Sequence, residues 1–335
     1  MRIAIVNDSA MARNVLSRII SDMSGHRVAW VADDGAEAVR KAAEDTPDLI
    51  LMDLVMPVED GVSATRRIMT SSPCPILIVT ASVGRNSSLI FQALGAGALD
   101  VVRTPEASKG AEGWDLLLRK IGALRLLFGE RSHPVKRRPE EPGGATVAVS
   151  PLIAIGASAG GPGALATVLK GMGADFTGAI VISQHISADF IEGLAKWLES
   201  QCSLPVRVAQ EGGSLLPGTV FVANPSGHLE LTASGRFGYA PVTPEDCVSP
   251  LVDRLFSSIA QNWRGRAAAV LLTGMGSDGV AGMLEMKNKG FLTIAESKET
   301  CLVFGMPGAA VRAGAAREVL PSNSIAARLK ESLVR

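Results

Sequence analysis

Residues 152–161 read L-I-A-I-G-A-S-A-G-G: an apolar run, then a serine between small residues, then a helix-compatible stretch. That layout presents a hydroxyl nucleophile at the end of a strand. The spacing Gly156-Ala157-Ser158-Ala159-Gly160 fits G-x-S-x-G, in which small neighbours relieve crowding at a sharp strand-to-helix turn. A serine hydroxyl is a weak nucleophile until a base takes its proton, and the base needs an orienting acid. The chain has four histidines. His26 falls in a polar turn and His133 in a polar, proline-rich stretch, which leaves His185, just past the apolar run 179–183, and His228, inside N-P-S-G-H-L-E-L. His185 is favoured, because strand carboxyl ends bring side chains to one shared crevice. Its plainer reading is a partly buried polar residue bonded to a loop. In A-A-A-V-L-L-T-G-M-G-S-D-G, Asp278 follows an apolar strand in a glycine-rich turn before a helix over 280–289. An aspartate there can also simply cap that helix. Taken jointly, Ser158, His185 and Asp278 fall at the ends of three predicted parallel strands, which favours a triad. The order Ser…His…Asp differs from the Ser…Asp…His of α/β-hydrolases.

A different chemistry occupies the N-terminal third. Asp8 follows the first predicted strand, Asp53 the third and Thr80 the fourth. Two carboxylates meeting at the carboxyl edge of a parallel sheet can hold Mg²⁺, which accepts one or two protein carboxylates with water and phosphate completing its shell. Thr80 is placed to hydrogen-bond a phosphoryl oxygen. The alternative is structural: Asp8 capping the helix that starts near Ser9, and Asp53 capping a turn.

The elements that must position these residues come in two alternating series. Strands over 2–6, 27–31, 49–52, 76–79 and 99–102, with helices such as 10–22, 35–44 and 114–128 between and after them, make βαβ units and a parallel sheet covered on both faces. The stretch G-E-R-S-H-P-V-K-R-R-P-E-E-P-G-G-A-T, from Gly129, has no apolar period and reads as an exposed linker over 129–150. A second series follows, with strands over 152–155, 179–183, 206–209, 220–223, 267–272 and 292–295 and a β excursion between 212 and 239. The expectation is two α/β domains: a doubly wound, flavodoxin-like domain over 1–128, and a second doubly wound, mainly parallel domain over 151–335.

Composition limits the function classes. The chain has 335 residues, 47% hydrophobic and 20% charged, with 33 basic residues balancing 33 acidic ones. That suits a globular protein and gives no sign of nucleic-acid binding or polybasic membrane attachment. The start, M-R-I-A-I-V-N-D, breaks its apolar run at Asn7 and Asp8, so no signal peptide is expected. No uncharged apolar run is long enough to span a bilayer. Cys74, Cys202, Cys247 and Cys301 form no C-x-x-C pair, so the expected setting is a reducing cytoplasm without a cysteine zinc site.

Two resemblances add to this reading. I-V-N-D-S, P-D-L-I-L-M-D-L-V-M-P-V-E-D-G and I-L-I-V-T-A resemble a response-regulator receiver domain over roughly residues 1–125. The resemblance implies that Asp53 accepts a phosphoryl group from a histidine kinase, that Asp8, Asp53 and the Val55 carbonyl hold Mg²⁺, and that Thr80 senses the phosphate. The chain departs from the receiver pattern in three places. Asn7 replaces the first of a usual acid pair, Thr104 the usual lysine and Val101 the usual switch aromatic. A lost charged hydrogen bond to phosphate costs roughly 1.5–3 kcal/mol unless Arg103 supplies one. Further on, I-G-A-S-A-G-G, I-S-Q-H-I, L-L-T-G-M-G-S-D-G and V-F-G-M-P-G-A-A together resemble the CheB family of chemotaxis methylesterases over roughly 150–333. That resemblance implies Ser158 as nucleophile, His185 as general base and acid, Asp278 as orienting carboxylate and the Met275 backbone N–H as an oxyanion donor. Ala159 stands where many members have threonine. The Asn7 and Thr104 variations resemble members from alternative chemosensory pathways.

The function implied is a phosphorylation-regulated hydrolase of glutamate γ-methyl esters on the cytoplasmic helices of chemoreceptors, with glutamine deamidation by the same acyl chemistry. No cofactor is expected for hydrolysis, and Mg²⁺ is expected for phosphorylation. The receiver is expected to hold the esterase back until Asp53 is phosphorylated. Two rivals are weighed. A nucleotide-dependent reductase wants G-x-G-x-x-G, which 155–161 lacks, and a tyrosine with a lysine four residues on; the one tyrosine, Tyr239, has Thr243 there. A phosphorylation-controlled module that binds receptor or kinase without turnover fits the receiver equally well, but gives Ser158, His185 and Asp278 no task.

Overall fold

In a computed structural model the chain divides into two compact units, Met1–Arg131 and Ser132–Arg335. The structure describes residues 1–81, 83–105, 114–128, 150–243, 246 and 248–333. Residues 129–149 of the expected linker, His133 among them, and Cys247 lie outside the described residues.

The first unit runs β1 (Arg2–Val6), α1 (Ala10–Asp22), β2 (Arg27–Ala32), α2 (Gly35–Glu44), β3 (Leu49–Met52), α3 (Gly61–Ser71), β4 (Ile76–Thr80), α4 (Val83–Gly95), β5 (Asp100–Arg103) and α5 (Asp115–Phe128). Its five parallel strands lie in the order β2-β1-β3-β4-β5, the flavodoxin-like arrangement. Every residue of β3 and β4 is buried, as a sheet covered on both faces requires. The helix starts follow capping chemistry: Ser9, Asp34 and Asp60 accept from the N–H groups of Ala12, Glu37 and Ser63. Ser9, rather than Asp8, therefore caps α1, and the Asp8 carboxylate stays exposed at the strand end. Strand β5 is one residue later than the expected 99–102.

Val58, in the loop between β3 and α3, has φ of 63° and is 86% exposed. A β-branched side chain in left-handed backbone costs roughly 1–2 kcal/mol, and exposure leaves no packing to offset it. Val58→Asn, which suits that backbone, is expected to stabilise the receiver by about 1 kcal/mol and raise its unfolding midpoint in the intact chain by about 4 °C. A thermal melt of the full-length variant checks this.

The second unit runs β6 (Leu152–Ala157), α6 (Gly161–Met172), β7 (Ala179–Gln184), α7 (Ile191–Gln201), β8 (Val206–Val208), β9 (Thr219–Val222), β10 (Gly227–Leu231), β11 (Phe237–Pro241), α8 (Val252–Asn262), β12 (Ala267–Leu271), α9 (Val280–Asn288), β13 (Leu292–Glu296), α10 (Met306–Arg312), β14 (Glu318–Leu320) and α11 (Ser322–Leu333). Seven strands pair in parallel in the order β14-β13-β12-β6-β7-β9-β8, and β10 and β11 form a separate antiparallel hairpin. Strands β6, β7, β9 and β12 are buried at every position. The hairpin is the expected β excursion, although β9, inside the same stretch, belongs to the main sheet. The chain leaves β6 toward β7 on one side and returns to β12 on the other. The carboxyl ends of these three strands therefore flank a topological switch point, where open α/β sheets bind ligands.

Candidate active site and phosphoacceptor site

Ser158 is the first residue past β6, and the only one from Pro151 to Pro162 that is not buried. Its side chain stands at the surface of an otherwise sealed strand-to-helix turn. The turn is sharp because Gly160, the N-cap of α6, takes φ of 76°, and because Gly161 N–H bonds back to the Ser158 carbonyl at 2.8 Å. His185 is the first residue past β7. Ala157 and Gln184 are paired across the two strands, and His185 N–H bonds the Ala157 carbonyl at 3.0 Å. Nucleophile and histidine thus occupy adjacent strand ends, whose backbones run about 5 Å apart.

Asp278 reaches the same place from the loop after β12. His185 Nε2 and Asp278 Oδ2 are 2.7 Å apart, with the two side chains 9% and 12% exposed. An ionised carboxylate only accepts, so Nε2 carries the proton and Nδ1 of the neutral ring is left with its lone pair. Burial works to raise the Asp278 carboxyl. The bonds from His185 and from the backbone N–H groups of Val252 and Asp253 outweigh it and hold the group below its ordinary value. Those two N–H groups open α8, whose N-cap residue Leu251 makes no side-chain cap of its own. Asp278 is therefore a cap as well as a histidine partner. The helix it caps is α8, not the following α9, which takes its cap from Asp253 through the Gly282 N–H at 2.7 Å.

His228 fails as a base because neither nitrogen is spare: Nε2 faces Asp246 at 3.0 Å and Nδ1 accepts the Leu251 N–H at 3.0 Å. His26 belongs to the first unit, where Nδ1 lies 3.1 Å from the Ser24 carbonyl and Nε2 is buried without a partner among the described residues.

The Gly274–Met275 peptide packs directly against Ser158. A Cβ on Gly274 would stand 2.7 Å from Ser158 Cβ and 2.4 Å from Met306 Sδ, so only glycine fits. The Gly274 carbonyl accepts the N–H groups of Gly305 and Met306 at 3.1 and 2.9 Å. In a planar trans peptide the N–H points opposite to the C=O. Met275 N–H is thereby turned away from the start of α10, and it has no acceptor among the described residues.

Sequence reasoning missed Gln184. It is 2% exposed, and its Nε2 donates to the carbonyls of both Ser158 (2.9 Å) and His185 (3.0 Å), tying the two backbones together. The motif I-S-Q-H-I held the residue in plain view, but its reach to Ser158 follows from strand register. Thr273 was missed as well: its carbonyl accepts Ser158 N–H at 3.0 Å, and its hydroxyl donates to the Ala159 carbonyl at 2.9 Å.

In the first unit, Asp53 lies just past β3. Burial and then the nearby Asp8 charge push its carboxyl up, against bonds from Leu54, Val55 and Asn7, to about 6. Asn7, where a second acid was expected, donates through Nδ2 to Asp53 Oδ2 at 2.8 Å, and its own Oδ1 takes the Ser9 N–H. A buried Asp53 carboxyl beside the Asp8 charge fits a divalent cation that keeps several waters. Among the described residues no group of three or more potential metal-ligating side chains gathers, so such an ion draws on two carboxylates at most. Thr80 is fully buried at the end of β4, with Asn86 Nδ2 at 3.4 Å from its hydroxyl. Thr104 N–H bonds the Thr80 carbonyl at 2.9 Å. Lys120 is engaged with Asp100 at 2.5 Å and with the Val101 carbonyl.

Comparison with known proteins finds a family match for each unit. The CheB methylesterase family model matches residues 153–329, and the response regulator receiver domain model matches residues 3–109. The chain belongs to the CheB methylesterase family. It is a receiver joined to a CheB methylesterase domain, in the order that the resemblances imply. A Cupriavidus pinatubonensis protein named protein-glutamate methylesterase/protein-glutamine glutaminase 1 is 48% identical over 334 residues, which cover 99% of this chain and 97% of the relative. A Pseudomonas aeruginosa protein named protein-glutamate methylesterase/protein-glutamine glutaminase 3 is 45% identical, with 99% of each chain covered. The crystal structure of the Thermotoga maritima CheB methylesterase catalytic domain superposes with a TM-score of 0.53 at 36% identity, covering 55% of this chain and 99% of that one. No helix among the described residues is long and apolar enough to cross a membrane.

Proposed function

We propose that Ser158, His185 and Asp278 are the catalytic triad of a phosphorylation-regulated protein-glutamate methylesterase that is also a protein-glutamine glutaminase. The observation that carries the residue assignment is the His185–Asp278 bond, at a strand end adjacent to that of Ser158. Ser158 Oγ attacks the γ-carbonyl carbon of a methylated glutamate, and His185 Nδ1, the nitrogen turned from Asp278, takes the hydroxyl proton. The Met275 N–H donates to the tetrahedral oxyanion, a contact worth about 3–4 kcal/mol in measured serine hydrolases. The imidazolium returns its proton to the departing methanol oxygen. Water, deprotonated by the same ring, then releases glutamate from the acyl-enzyme. Glutamine deamidation follows the same path, with ammonia leaving.

In the receiver, Asp53 accepts a phosphoryl group from a chemosensory histidine kinase. Asp8, Asp53 and the Val55 carbonyl hold Mg²⁺, and the chemistry the ion supplies is neutralisation of charge on the phosphoryl oxygens. Thr80 hydrogen-bonds the transferred group. The proposed substrates are the methylated cytoplasmic helices of chemoreceptors, which places the protein in the cytoplasm. Residues 129–150 are the proposed linker between receiver and esterase. A hundredfold activation needs only about 2.7 kcal/mol of coupling.

The test is methanol release from methylated receptor with and without a small phosphoryl donor. Phosphoryl donor is expected to raise the wild-type rate, and Asp53→Asn is expected to hold the rate at the unphosphorylated level in both conditions. Equal stimulation of wild type and Asp53→Asn removes Asp53 from the account, and no methanol under any condition removes the esterase.

A further inference from the structure

The fold contains a second histidine–aspartate pair that the hydrolytic cycle does not use. His228, on β10, is 1% exposed, and both its nitrogens are engaged. Nε2 faces Asp246 Oδ2, and that oxygen also accepts the Thr243 N–H and hydroxyl at 2.6 and 3.0 Å. The proton is therefore on Nε2, and Nδ1 is the acceptor for Leu251 N–H. Leu251 is the N-cap of α8, and the next two N–H groups, of Val252 and Asp253, are those that hold Asp278 at 2.7 and 3.0 Å. Three consecutive N–H groups at one helix start thus end on one histidine and one aspartate. The aspartate belongs to the triad.

The surroundings brace this start without duplicating it. Ser258 Oγ and Asn262 Nδ2, farther along α8, bond the Leu231 backbone of β10 at 2.9 and 2.7 Å. Ser183, on β7 two residues before His185, donates to the Pro250 carbonyl at 3.2 Å. These contacts fix the body of α8 and the chain that enters it. The direction of the first N–H group is set by His228.

We infer that His228, oriented by Asp246, is a positioning residue for the triad: it aims the start of α8 so that Val252 and Asp253 hold the Asp278 carboxylate against His185. The inference rests on the reading of Ser158, His185 and Asp278 as the triad. Small misplacements of a catalytic group cost about 100-fold in rate, so the effect falls on kcat rather than on receptor binding.

Two polar variants of the intact protein separate aiming from mere filling. Asparagine places Oδ1 near the former Nδ1 and can accept Leu251 N–H. Glutamine reaches toward Asp246 but puts no acceptor at the Nδ1 position. His228→Asn is expected to keep kcat within about threefold of wild type, and His228→Gln to lose about 10- to 100-fold in kcat with KM nearly unchanged. The rate at which a fluorophosphonate labels Ser158 is expected to fall in parallel, with a cooperative melt in both variants. The proposal is overturned if His228→Gln keeps wild-type kcat, or if His228→Asn falls as far as His228→Gln. Loss of the cooperative melt in both variants assigns His228 to folding alone and overturns it too. A wild-type protein that is neither labelled nor releases methanol refutes the triad reading itself, a result distinguishable from these.

Discussion

Replacement of Ser158 by alanine is expected to lower methanol release by about 10⁴-fold or more while leaving the fold untouched. The size follows from mechanism: without Oγ there is no acyl-enzyme, and the base and oxyanion donor are left to assist a water attack for which they are not aligned. The selectivity follows from structure. Ser158 is half-buried, and its hydroxyl makes no hydrogen bond among the described residues, while its backbone is fixed by Thr273, Gly161 and Gln184. Deleting one oxygen there is expected to change stability by less than about 0.5 kcal/mol. Kinetics and a thermal melt on the same preparation check both halves. Wild-type activity in Ser158→Ala contradicts the assignment, and a collapsed melting temperature contradicts the account of how Ser158 is held.

The second large effect is at Asp278, where two roles coincide. Asp278→Asn can put its amide nitrogen where Oδ2 meets His185 and favour the wrong ring tautomer. The comparable change in a serine protease lowers kcat about 10⁴-fold, and a similar loss is expected here. Asp278→Ala also removes the cap of α8 and leaves the Val252 and Asp253 N–H groups without their acceptor, at a cost of about 2 kcal/mol or more. The carboxyl is held below its ordinary value despite burial, so its stabilising contribution is complete above the ordinary carboxylate range and is lost as pH falls through the lowered folded value. The stability gap between wild type and Asp278→Ala, measured by urea unfolding, is therefore expected to be widest near neutrality and to narrow in acid. A gap that widens in acid contradicts the assigned charge state.

Much of the site was legible in the sequence because strand ends are legible. The apolar runs ending before Ser158, His185 and Asp278 fix three carboxyl edges, and parallel topology obliges neighbouring edges to meet. What escaped depends on register and on contacts between distant segments. Nothing local in G-S-D-G says that Asp278 caps α8, 26 positions back, while Asp253 caps α9. Nothing local makes Gln184 a tie between Ser158 and His185. Placement favoured His185 over His228, but what excludes His228 is the engagement of both its nitrogens, a matter of tertiary hydrogen bonds. Asn7 read as a missing acid; in the fold it is also a donor to Asp53. Strand β14 is only three residues long and one of them is Glu318, too short and too polar for a periodicity argument to find.

The central claim is that Ser158 is the activated nucleophile. Full-length protein treated with a fluorophosphonate, digested and mapped by mass spectrometry tests it without needing a receptor. The account predicts one adduct, on the peptide carrying Ser158, formed far more slowly in Asp278→Asn. An adduct on another residue, or equal labelling of Ser158 with and without the Asp278 carboxylate, contradicts it.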